Sequence, residues 1–139
     1  VDWELARLGD PCWDTGVFLG EYLLSWLIST PIAGQNAPTR LLALSKYPLE
    51  RMQPAIRTFW PTYSRKMGLD AATSEAWLLR SVRYAAAWLI QAAYEQDRST
   101  TQLSGNTLSL LQLSLNILRR PAEAASSLLG IPVERSWAA

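Results

Sequence analysis

V-D-W-E-L-A-R-L-G-D-P-C-W-D, residues 1–14, runs straight into T-G-V-F-L-G-E-Y-L-L-S-W-L-I-S, residues 15–29, and the change of character between the two decides how the rest of the chain is read. The first half collects Asp2, Glu4, Asp10 and Asp14, four of the chain's twelve acidic residues, with only Arg7 against them. The second half has one charged side chain, Glu21, and spreads Val17, Phe18, Leu19, Tyr22, Leu23, Leu24, Trp26, Leu27 and Ile28 round the whole helical circumference. A helix apolar on every side belongs inside a domain. The spacing therefore predicts a buried hub helix over about 14–29.

Within the acidic half each residue has its own reading. Val1 suits the end of a strand, and a carboxylate such as Asp2 at a strand end can bind a hard cation through oxygen. Asp10 before Pro11 reads as an N-cap followed by the first helical residue, a position that needs no N–H. Asp14 begins the helical run. Taken singly, these residues also fit two helix caps, a surface Glu and a lone Asp.

As a whole, D-W-E-L-A-R-L-G-D-P-C-W-D-T-G resembles the segment that follows the catalytic loop in the aminoglycoside phosphotransferase and choline kinase superfamily, which shares its fold with protein kinases. The family pattern is approximately I-D-W-E, four variable residues, G-D-P, two variable residues, then D-L-A or D-L-G. Asp2, Trp3, Glu4, Gly9, Asp10, Pro11 and Asp14 match it, with Thr15 in place of the usual Leu and Gly16 at the small position. The resemblance implies a mainly α chain, the helical C-terminal lobe of a protein-kinase-like phosphotransferase, with about five helices around the hub in one domain over residues 1–139. It implies Mg2+ and ATP as cofactors, with Asp2 as metal and nucleotide ligand, because in such kinases the matching Asp coordinates the metal ions that bridge the nucleotide phosphates. It makes Asp14 the buried carboxylate that steadies the catalytic-loop backbone, and gives Glu4 and Asp10 structural support.

The family's catalytic loop, H-x-D-x-x-x-x-N, lies upstream of D-W-E, whereas this chain opens at Val1 and contains no His. The expectation is that the catalytic base, the second metal-binding Asn, the nucleotide-holding Lys and the N-terminal lobe belong to a longer protein, and that these residues alone are inactive. The full-length protein would transfer the γ-phosphate of ATP to a hydroxyl of a small molecule, such as an aminoglycoside or amino alcohol, or to Ser or Thr of a peptide. The alternative is a degenerate kinase-like helical domain serving as a peptide- or protein-binding module.

Composition narrows the field further. At 139 residues and 49% hydrophobic content, the chain fits one compact domain. Its net charge is +1, and the only basic doublets are Arg65-Lys66 and Arg119-Arg120, which argues against a nucleic-acid partner. Cys12 is the sole cysteine, so no internal disulfide can form and a cytoplasmic protein is expected. Without His, oxygen-bound magnesium is the expected metal. No apolar stretch approaches the roughly 20 residues that span a bilayer.

Downstream, residues 30–39, T-P-I-A-G-Q-N-A-P-T, read as a loop, followed by a short helical turn over Arg40–Ser45. A second helix is expected over Pro54–Met67, kinked at Pro61 and ended by Gly68, with Ile56, Phe59, Trp60 and Tyr63 inward. A third runs from Asp70 or Thr73 to about Gln96. A fourth starts at Asn106 or Thr107, its apolar face marked by Leu108, Leu111, Leu115 and Leu118 and widened by Leu110, Leu113 and Ile117. A fifth covers Pro121 to Leu129. Trp26, Trp77 and Trp88 read as core rather than as a cage for a cation. Glu21, and Glu95 and Asp97 at the polar end of the third helix, are candidates to meet a cationic acceptor, although solvated carboxylates are the plainer reading.

Overall fold

The helix boundaries follow from capping chemistry. The computed structural model describes residues 9–31, 45–98 and 103–133, and among them are five helices and no strand: α1 Pro11–Ile28, α2 Leu49–Lys66, α3 Ala71–Gln96, α4 Gly105–Arg119 and α5 Pro121–Ser127. At the start of α1, α3 and α4, a side-chain oxygen of Asp10, Asp70 or Ser104 accepts from the backbone N–H of Cys12, Thr73 or Thr107, at 3.0, 2.7 and 3.1 Å. Each satisfies a donor that the helix itself cannot. Gly68 and Gly130, with φ of 68° and 69°, take the left-handed turn that stops α2 and redirects the chain after α5. The Arg40–Ser45 turn lies largely outside the described residues.

α2 departs from expectation by starting at Leu49, five residues before Pro54, and by running as one helix through Pro54 and Pro61. Each proline deprives the carbonyl four residues back of its donor. Those carbonyls belong to Glu50 and Arg57, and all four residues are exposed, so water can replace the lost bonds.

α1 and α3 lie side by side and run in the same direction. Thr15 meets Ser81, Gly16 meets Ser81 and Tyr84, and Gly20 meets Ala85 and Trp88. The approach is close. A Cβ on Gly16 would sit 2.8 Å from the Ser81 carbonyl oxygen and against the Tyr84 Cβ, and one on Gly20 would sit 2.7 Å from Trp88 Cδ1. Thr15 Oγ1 and Ser81 Oγ share a buried hydrogen bond of 2.6 Å across the seam. Around it, Leu19, Ala85, Ala86, Leu89 and Ala93 are completely buried.

The remaining helices close round this pair. Ser45 Oγ donates to the Trp26 carbonyl at 3.0 Å, tying the end of α1 to the approach to α2. α2 then runs back along α1, with the Phe59 ring 4.3 Å from that of Phe18. Ser74 Oγ accepts from Trp60 Nε1 and pairs with Ser64 Oγ, which fixes the α2–α3 corner. Ser104 N donates to Asp97 Oδ2 at 2.8 Å, so α4 folds back along α3. Gln53 Nε2 donates to the carbonyls of Ser127 and Leu128, fastening α5 to the start of α2.

Two expectations about faces are corrected. α1 is not buried all round: Cys12, Thr15, Gly16, Leu19, Gly20, Leu23 and Trp26 form its buried side, while Trp13, Glu21 and Ile28 are exposed. Its apolar surplus is divided between α3 and the aromatic side of α2, and α3 shares the central place by packing on α1, α4 and α5. α4 turns its other side inward. Thr107, Leu110, Ser114 and Ile117 are buried, while Leu108, Leu111, Leu115 and Leu118 are exposed. Both sets recur at helical spacing; the inward one is slimmer, and its hydroxyls are satisfied locally by Ser104 Oγ and the Leu110 carbonyl.

Gly16→Ala is expected to destabilise the chain by about 1–3 kcal/mol through overpacking. Gly9→Ala, where an added Cβ meets nothing within 4 Å, should stay within about 0.5 kcal/mol. Urea unfolding followed by circular dichroism compares the two.

Candidate functional site

The acidic segment reaches the described structure at the first turn of α1, and Asp10 is its fixed point. Its Oδ1 accepts from Cys12 N at 3.0 Å, while Oδ2 accepts from Arg80 Nη1 and from the Tyr84 hydroxyl, both at 3.2 Å. These donors stand on α3, one turn apart at positions i and i+4, so the α1–α3 seam brings them to the cap. Trp13 completes the surround, packing edge-on against Tyr84 with ring centres 5.4 Å apart. The Cys12 N–H, helped by Tyr84 and Arg80, holds the Asp10 carboxyl below its ordinary value. The Tyr84 hydroxyl is pushed up, first by desolvation and then by the neighbouring Asp10 charge.

Asp14 stands on the same turn in a different setting. It is exposed, and among the described residues its carboxylate accepts no hydrogen bond. Tyr63, at the end of α2, lies close enough to be pushed up by desolvation and by the charges of Cys12, Asp14 and Asp10. Cys12 is completely buried, and burial raises its thiol, so it fills the seam rather than serving as a nucleophile.

The other candidates are held elsewhere. Glu21 Oε1 accepts from Trp88 Nε1 at 2.8 Å and borders an open recess of about 300 Å³ that Tyr22, Ser25, Tyr47 and Met52 also line. Glu95 accepts from Gln91 Nε2 on its own helix at 3.0 Å. Asp97 holds the start of α4, and the Ser104 N–H keeps its carboxyl low. At about 1.5 Å per residue, Glu21 lies about 10 Å along α1 from Asp14, and Glu95 about 22 Å along α3 from Arg80. Glu21, Glu95 and Asp97 therefore do not converge with the first turn of α1.

Asp2 and Glu4 lie outside the described residues. Among the described residues no three His, Cys, Asp or Glu side chains come together as a metal site. Asp10 has both oxygens engaged by donors and is unsuited to ligating a cation as well. No described helix is long and apolar enough to cross a membrane.

The sequence reading gave no place at this site to Arg80, Tyr84 or Tyr63. The one sequence signal for Arg80 and Tyr84 is their i, i+4 spacing, which sets them on one face of α3. Compared with known proteins, the chain matches no family model, no curated protein and no solved structure.

Asp10, Asp70 and Asp97 all have carboxyls held below the ordinary 3.8 chiefly by backbone N–H groups. A lowered folded-state value contributes stability that is complete above the unfolded value and is lost as pH falls through the folded one. Stability should therefore drop progressively below about pH 4. Asp10→Ala should lower the urea midpoint at neutral pH and make the acid-side fall shallower. Asp14→Ala should leave the neutral-pH midpoint nearly unchanged in this chain. Midpoints measured across pH test the contrast.

Proposed function

We propose that this chain is the helical part of an ATP- and magnesium-dependent phosphotransferase that acts on a hydroxyl of a small molecule or of a Ser or Thr side chain. The observation that carries the reading is the spaced set Asp2, Trp3, Glu4, Gly9, Asp10, Pro11 and Asp14, whose G-D-P portion opens a helix and whose last Asp stands exposed one turn later. The loop-to-helix junction suits that set, because Asp10 anchors the backbone where the helix opens.

In this reading Asp10 works by position alone. Its bonds to Cys12, Arg80 and Tyr84 hold the α1 N-terminus on α3, so the segment carrying Asp2 leaves the helix from a fixed point. Asp14 is the exposed acceptor for backbone donors of the catalytic loop of the complete protein. Asp2 would hold the magnesium and, through it, the nucleotide. Bound magnesium supplies neutralisation of phosphate charge and keeps the γ-phosphate aligned for the attacking oxygen. The aromatic and acidic recess beside Glu21 offers an acceptor's amino groups a partner, although Glu21 stands two turns from Asp14.

The test uses the complete protein with magnesium and ATP against aminoglycosides, amino alcohols, sugars and Ser/Thr peptides, read by product mass. One acceptor should gain a single phosphoryl group, and Asp2→Ala should lose that gain while keeping its circular dichroism. Undiminished turnover in Asp2→Ala would remove the metal role. No transfer to any acceptor, with no nucleotide binding, would favour a kinase-like binding module instead.

A further inference from the structure

The outward side of α4 is an apolar strip with no intramolecular partner among the described residues. Leu108, Leu111, Leu115 and Leu118 are 54, 38, 40 and 42% exposed. Their spacing of three, four and three residues sets them in one line, as in the seam of paired helices. From Gly105 to Leu118 the helix has no charged residue, and its polar edge carries uncharged Ser109, Gln112 and Asn116. A solvated helix normally displays charge on this side. Here four leucines stand at it.

We propose that α4 is a self-association surface, on which a second copy of this chain lays its own α4 antiparallel. The charges at the two ends of the strip argue for this occupant and this direction. Beside the start of α4, Glu95 and Asp97 outweigh Arg98; at its end, Arg119 and Arg120 outweigh Glu123. Antiparallel copies bring the acidic end of one against the basic end of the other and oppose the two helix dipoles. A parallel pair would set Arg119 against Arg119. Between the ends, nothing charged must lose its water when the leucines meet.

The size of the face sets the strength. α4 has 15 residues, so the strip is about 22 Å long. Two such faces cover on the order of 1,000 Å² in total, at the low end for specific protein contacts. A contact of this size points to a reversible dimer, to be sought by raising the concentration through the micromolar range.

Sedimentation velocity of the full 139-residue chain over a concentration series tests this. The mass should move from 15.5 kDa towards twice that value as concentration rises through the micromolar range. Leu111→Gln with Leu115→Gln, both at exposed positions, should weaken the dimer at least tenfold with unchanged circular dichroism. Arg119→Glu should weaken it at low salt. A chain that stays monomeric up to about a millimolar overturns the proposal. So does a dimer that survives the double Leu substitution, which would lie on another face. A monomer that takes up detergent or an apolar peptide across these leucines also overturns it, and gives the strip to a different partner.

Discussion

The approach of α1 to α3 at Gly16 and Gly20 is the constraint on which the rest of the structure depends. With no side chain at either position, the α1 backbone comes within contact distance of Ser81, Tyr84, Ala85 and Trp88. At that separation Thr15 and Ser81 reach each other directly, and Ala85, Ala86 and Ala93 of α3 are completely buried. Interiors packed this densely transmit small changes of volume. The same seam sets the other contacts in train. It holds Phe18 where Phe59 of α2 covers it, and leaves the far side of α3 for α4 and α5.

That seam also decides what the two acids on the first turn of α1 can do. Because the helices run in the same direction, the α1 N-terminus arrives beside Arg80 and Tyr84. Asp10 becomes an anchor with both oxygens engaged, whereas Asp14, four residues on, is exposed and accepts no hydrogen bond among the described residues. Two identical side chains are thus sorted by geometry into a fastening and an available acceptor. The proposed phosphotransferase reading requires that division of labour, since a segment that carries a metal ligand must leave its helix from a rigid point.

Local chemistry was the legible part of the sequence. D-P at residues 10–11, Asp70 and Gly68 mark starts and stops that depend only on neighbouring backbone groups. Choices between faces were not legible in the same way. In α4 the exposed leucines and the buried Leu110–Ile117 side recur equally well, and the outcome turned on which side was slim enough to lie on α3. In α1 a fully apolar circumference concealed two partners, a close one across the glycines and an aromatic one on α2. The Arg80 and Tyr84 donors depend on which helices pair and in which direction, and no single segment encodes that. For the candidate site, Asp10 as the N-cap of α1 was readable, while the spread of Glu21, Glu95 and Asp97 along the helices was not.

Native-state hydrogen exchange tests the primacy of the α1–α3 seam most directly. The account predicts that amides in the facing turns, Leu19 to Leu23 of α1 and Val82 to Leu89 of α3, open together and only with global unfolding, at one shared free energy, while the amides of α5 open at a lower one. If the α1 amides exchanged through an independent opening that left α3 protected, α1 would be an appendage to the bundle and the seam would not be its foundation.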